Sequence, residues 1–113
     1  MKRLISMPVL QASVILLIGP HADIKRHIPK GMAPRKQNYA GFCAFKHAKE
    51  APVPFRVLIH LLRPEWPVMA HEAAHAASYI CKAMGVGASF NNDELHAYVV
   101  QYICEQAEAV MGG

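Results

Sequence analysis

Two histidines and a glutamate stand at a spacing that can do chemistry: His71-Glu72-Ala73-Ala74-His75. On a helix, side chains at i and i+4 project from one face, one turn apart, which is the separation two imidazoles need to share a metal ion. Glu72 is rotated about 100° from His71. It can therefore stand beside the ion rather than bind it, and take a proton from a water molecule held there. Zinc is the expected ion, because imidazole and carboxylate donors with one open position suit it and it lowers the pKa of its water towards ~7. The chemistry this pattern points to is metal-assisted hydrolysis, with Glu72 as general base.

The third ligand decides the kind of site. A metzincin-like continuation would place Gly and His at the positions held here by Ser78 and Cys81. Without the glycine the helix does not break, and Cys81 stays on it, too far round to close the site. A gluzincin-like site takes a glutamate from a following helix, and Glu94 lies in the first turn of the next one, behind Asn91-Asn92-Asp93. If the first helix runs to Met84, His75 lies ~14 Å short of its end. Residues 85–93 must then run back along it, and nine residues can span ~30 Å. Asp93, His96 and Glu105 are the substitutes for Glu94. Tyr98, one turn after Glu94, could donate its hydroxyl to an oxyanion, or be a packed aromatic with its hydroxyl at the surface. Ser78 and Tyr79 read as helix packing or cleft wall, His60 and His96 as surface or cleft histidines, and Trp66 as cleft mouth or core.

The elements that must position these residues follow from the pattern. Ser13–Ile18 is a strand closed by Gly19-Pro20. His21–Ile28 can form a turn or two of helix before Pro29, Gly31 and Pro34, and 30–38 is a basic loop. Tyr39–Lys46 and Phe55–Leu62 are further strands separated by Ala51-Pro52-Val53-Pro54. Connections this short favour an antiparallel sheet. Pro67 suits the start of a helix over Val68–Met84, with Gly85 as its C-terminal cap. Asn92 or Asp93 caps a second helix to about Val110, with Leu95, Val99, Ile103 and Gln106 on one side. The fold class expected is α+β, in one domain spanning residues 1–113: β-rich over 1–63, helical over 64–113.

Composition sets the outer bounds. The 113 residues are 53% hydrophobic and 18% charged, which fits a folded chain and argues against disorder. The net charge of +4 is unevenly spread. Residues 1–63 hold eleven of the twelve Lys and Arg, whereas 64–113 hold Lys82 against six acids. The basic half could attract an anionic partner such as nucleic acid or a cell-wall polymer, or be a solvated surface. Cys43, Cys81 and Cys104 cannot pair completely and read as reduced residues of a cytoplasmic protein. The apolar stretch Met1–Gly19 resembles a short signal peptide, but Pro8, Gln11 and Ser13 interrupt it and Pro20-His21-Ala22 is a poor cleavage site. An early buried strand accounts for Ala12–Gly19 equally well. No run approaches the ~20 apolar residues of a membrane span.

The segments VMAHEAAHAASYI and NNDELHAYVVQYI, within Val68–Glu105, resemble a group of small gluzincin-like proteins encoded by tailed bacteriophages and prophages. The resemblance covers about a third of the chain. It implies a small antiparallel sheet packed on the active-site helix, with Phe55–Leu62 as the edge strand lining a substrate cleft. It also implies zinc bound by His71, His75 and Glu94, with Glu72 as base and a peptide or protein as substrate. A phage-encoded protein of this kind would work in the host cytoplasm. One departure stands out: thermolysin-like proteins have an Asp four residues after the ligand Glu, where this chain has Tyr98. The rival expectation is a non-catalytic zincin-like protein of phage morphogenesis, with a structural metal and a phage structural partner.

Overall fold

The computed structural model describes residues 1–7, 10–36, 38–47, 55–84 and 93–112, without the side chains of His47 and Asp93. Gly85, the Asn91-Asn92 pair and the Ala51–Pro54 separator lie outside the described residues. The fold is α+β, a four-stranded mixed sheet with two long helices on one face. In chain order the strands are β1 (Lys2–Met7), β2 (Ala12–Ile18), β3 (Gly41–His47) and β4 (Phe55–Leu61). The helices are α1 (His21–Ile24), continued by a 3-10 turn over Lys25–His27, then α2 (Trp66–Ala83) and α3 (Asp93–Met111).

The sheet order is β1-β2-β4-β3. The pairs β1–β2 and β3–β4 are antiparallel as short connections favour, but β2 and β4 run parallel. The wholly antiparallel sheet is thus corrected to a mixed one. A parallel pair needs a crossover. Here α1 and the loop after it carry the chain across one face of the sheet, and β4 then inserts between β2 and β3. The strand expected at the cleft edge, Phe55–Leu62, is therefore interior, and β3 is the edge beside α2. The apolar stretch near the start of the chain is a hairpin, with β2 almost wholly buried.

Alternation along the strands builds two cores. Val14, Leu16, Val57, Ile59 and Leu61 face the helices, where they meet Met69, Ala73, Ala76, Ala77 and Ile80 of α2 and Val99, Ile103 and Ala107 of α3. On the other face Leu17 and Leu58 pack with Ile24 and Met32 of the crossover. Gly19 turns the chain out of β2 at φ +137°, a conformation open to glycine, and donates its N–H to the Leu61 carbonyl at 2.9 Å. His60 is 2% exposed on this second face. Its Nε2–H donates to the Gly19 carbonyl at 2.7 Å, so its Nδ1 lone pair accepts from the Tyr39 hydroxyl, also at 2.7 Å. Burial holds His60 below its ordinary pKa, helped by nearby His21 and opposed by the Gly19 carbonyl.

Candidate metal and hydrolytic site

Helix α2 begins where Glu65 is extended and Pro67 occupies the first turn, and its first bond runs from Met69 N–H to the Glu65 carbonyl at 2.9 Å. Ala73, Ala76 and Ala77 are buried against the sheet, and the opposite ridge is left to His71, His75, Ser78 and Lys82, all exposed. On that ridge the Nε2 atoms of His71 and His75 lie 3.1 Å apart, with the rings edge to face at 4.7 Å. Two zinc–nitrogen bonds of about 2.0–2.1 Å at a tetrahedral angle separate their nitrogens by roughly 3.3 Å. The imidazole pair therefore fits two positions of such a site.

Glu72 lies a third of a turn round, against the edge of the sheet, and is only 6% exposed. Burial raises its pKa, while His71 and His75 beside it pull the other way. Among the described residues it accepts no hydrogen bond, leaving its carboxylate free to take a proton. Its close neighbour is Gly41, where an added Cβ would stand 2.8 Å from Glu72 Oε2 and 2.6 Å from Val68 Cγ1. The next helix-facing residue of β3 is Cys43, whose thiol is pushed up by burial and by the Glu72 charge.

The backbone of β3 is also disposed for use. Leu62 N–H donates to the Ala40 carbonyl and Gly19 N–H to that of Leu61, both at 2.9 Å. With the observed register, residues 42, 44 and 46 bond to β4, and Gly41, Cys43 and Phe45 turn their N–H and C=O groups to the open edge. No described strand pairs there.

Helix α3 lies on the other flank of the histidine ridge. His96 Nε2–H donates to the Ala74 carbonyl at 3.2 Å and lies 3.1 Å from Ser78 Oγ. That contact fixes the rotation of α3. Residues two before and two after His96 are each about 160° away from it. Glu94 and Tyr98 accordingly face solvent, Tyr98 with 66% of its surface exposed. Glu105 is exposed on the same side and accepts from Gln101 Nε2 at 2.8 Å. Among the described residues no group of three or more His, Cys, Asp or Glu stands close enough to hold a metal ion. The structure thus joins His71, His75 and Glu72, seats His96 on Ala74 and Ser78 of the same helix, and leaves Glu94 and Tyr98 in solvent.

The tyrosine that does stand at the site is Tyr79. Its ring stacks on His75 at 6.5 Å and lies 4.6 Å from that of Phe45. Burial raises its hydroxyl pKa, with Cys43 and Glu72 adding to the effect. Gly41 and Phe45 are the residues that sequence reasoning passed over. A glycine inside a strand was the available signal, since it marks close approach of another element. Trp66 packs half-buried against the helix-side core, which decides for its core reading.

No protein-family model matches the chain, and no curated protein sequence or solved structure matches it either.

Proposed function

We propose that the protein is a zinc-dependent hydrolase of gluzincin-like type, acting on an amide or peptide bond in a peptide or protein substrate. The observation that carries this reading is the convergence of His71 Nε2 and His75 Nε2 at 3.1 Å with the Glu72 carboxylate beside them. Zinc, when bound, supplies a Lewis acid that acidifies water and polarises a carbonyl. His71 and His75 hold it through Nε2. Glu72, in its low-water position against Gly41, takes the proton from the attacking water and passes it to the leaving amine. The outward N–H and C=O groups of β3 orient an extended substrate past Glu72 as an added strand.

A third donor, which no described residue supplies beside the two histidines, is expected from the start of α3. Glu94 is the residue the sequence pattern favours, and His96 is the one that the rotation of α3 turns towards α2. Elemental analysis after zinc loading separates them. Wild type and Glu72→Gln are expected to hold one zinc, and His71→Ala and His75→Ala to lose it. Whichever of Glu94→Ala and His96→Ala loses zinc names the third ligand. Hydrolysis of a peptide mixture should vanish in Glu72→Gln while zinc stays. A wild type that takes up no zinc would end the reading.

A non-catalytic role in phage morphogenesis is the rival, and a zinc-loaded wild type that cuts nothing would favour it. Among the described residues no helix is long and apolar enough to cross a membrane. A cytoplasmic location, the host cytoplasm if the protein is phage-encoded, goes with the unpaired cysteines.

A further inference from the structure

Beyond His75 the ridge of α2 and the edge of β3 enclose a hollow of about 340 Å³ lined by Phe45, Phe55, Ser78, Tyr79, Lys82 and Ala83. Its walls are aromatic. Phe45 stacks on Phe55 at 5.7 Å and 27°, and meets Tyr79 at 4.6 Å. Phe45 keeps 52% of its surface exposed on the edge strand. The hollow neighbours the histidine pair through Tyr79, whose ring centroid lies 6.5 Å from that of His75.

We propose that this hollow is a specificity pocket for a large aromatic side chain of the substrate, with Phe45 and Tyr79 as its determinants. The inference rests on the reading of the adjacent site as a peptide site, and it adds what that site selects.

Register argues for it. Gly41, Cys43 and Phe45 share the helix-side face of β3 and send their backbone groups to the open edge. A peptide paired to that edge places every second side chain over the same face. Gly41 abuts Glu72, and Phe45 abuts the hollow. Along α2, the step from the midpoint of the two histidines to the pocket at residues 78–83 is about 10 Å at 1.5 Å per residue. That is about three residues of extended chain. The selected side chain therefore lies two or three positions from the bond beside Glu72. Apolar walls with one cation at the rim, Lys82, admit an aromatic ring and disfavour a basic side chain.

The test uses two blocked peptides, acetyl-Gly-Gly-Phe-Gly-Gly-amide and the same peptide with Ala for Phe. They are titrated by NMR into the full-length Glu72→Gln protein, so that binding is read without turnover. The Phe peptide is expected to bind about tenfold more tightly and to shift the Phe45 and Tyr79 amides. Ala83→Trp, which fills the hollow from an exposed position, and Phe45→Ala should each erase that preference. Equal or undetectable binding of the two peptides, or shifts remote from Phe45 and Tyr79, overturns the pocket. A second arm reads cleavage of a peptide mixture by zinc-loaded wild type. Cuts with no aromatic residue within three positions overturn the pocket and leave the hydrolase. No cuts, with the Phe preference intact, remove the hydrolase and leave the pocket.

Discussion

Single residues carry unequal burdens in this protein, and Gly41 carries more than its size suggests. The carboxylate of Glu72 and a methyl of Val68 occupy the space where any other side chain would begin. Gly41→Ala must push one of them aside. Overpacking of this kind typically costs about 1–3 kcal/mol. A lowered urea midpoint with an unchanged slope is the expected result. If the proposed chemistry holds, hydrolysis should fall by more than the stability loss explains, because the Glu72 carboxylate is one of the two groups the new Cβ meets. His60 offers a different residue-scale test. Its pKa is lowered in the fold, so between that value and the ordinary ~6.5 the unfolded chain binds the extra proton. Its stabilising contribution is fully present above pH ~6.5 and is lost as pH falls through the folded value. Urea unfolding from pH 7.5 down to 5 should show this decline. His60→Gln can still donate to the Gly19 carbonyl and accept from Tyr39 but cannot titrate, so its decline should be shallower.

Among the elements, α2 shows how one helix serves packing and chemistry together. Small residues on its inner face, with Ala73, Ala76 and Ala77 fully buried, let it lie close to the sheet. That closeness brings Glu72 against β3 while the histidine ridge stays in water. Ala77→Leu should lower stability by about 1–3 kcal/mol, and the measurement is again the urea midpoint. Its helicity by circular dichroism should persist, because leucine is a good helix former. The sequence showed α2 and α3 almost to the residue, since their apolar periodicity and the Pro67 signal are local. It also showed the inward side of α3, where Leu95, Val99 and Ile103 pack on the core, but not the contact that seats His96 on Ala74. Leu95, His96, Val99 and Val100 all carry enough apolar surface to face inward. The choice that turns His96 to Ala74 and Glu94 to solvent is made by packing against α2.

At the scale of the whole molecule, charge follows the layers. The crossover layer over 20–40 exposes Lys25, Arg26, Lys30, Arg35 and Lys36 with Asp23 as its one acid, whereas α2 and α3 together hold five acids and Lys82. Retention on a polyanion such as heparin is the expected outcome, falling steeply between low and physiological salt. Equal retention at both salts would leave this layer as a solvated surface. The division into a β-rich half and a helical half, the metal-type spacing of His71 and His75, and the position of Glu72 beside them were all set by the sequence alone. Each depends on the 3.6- or 2-residue period of a single element, and such periods are readable without knowing what the element touches. Tertiary structure alone decided that β4 is interior and β3 the edge. It also decided that Gly41 and Phe45 belong to the site, and that His96 rather than Glu94 faces α2. Those outcomes depend on a parallel pairing across some forty residues of chain and on contacts between elements, for which local periodicity carries no signal. The histidine pair was legible because one helix makes it. Its surroundings were not, because three elements do.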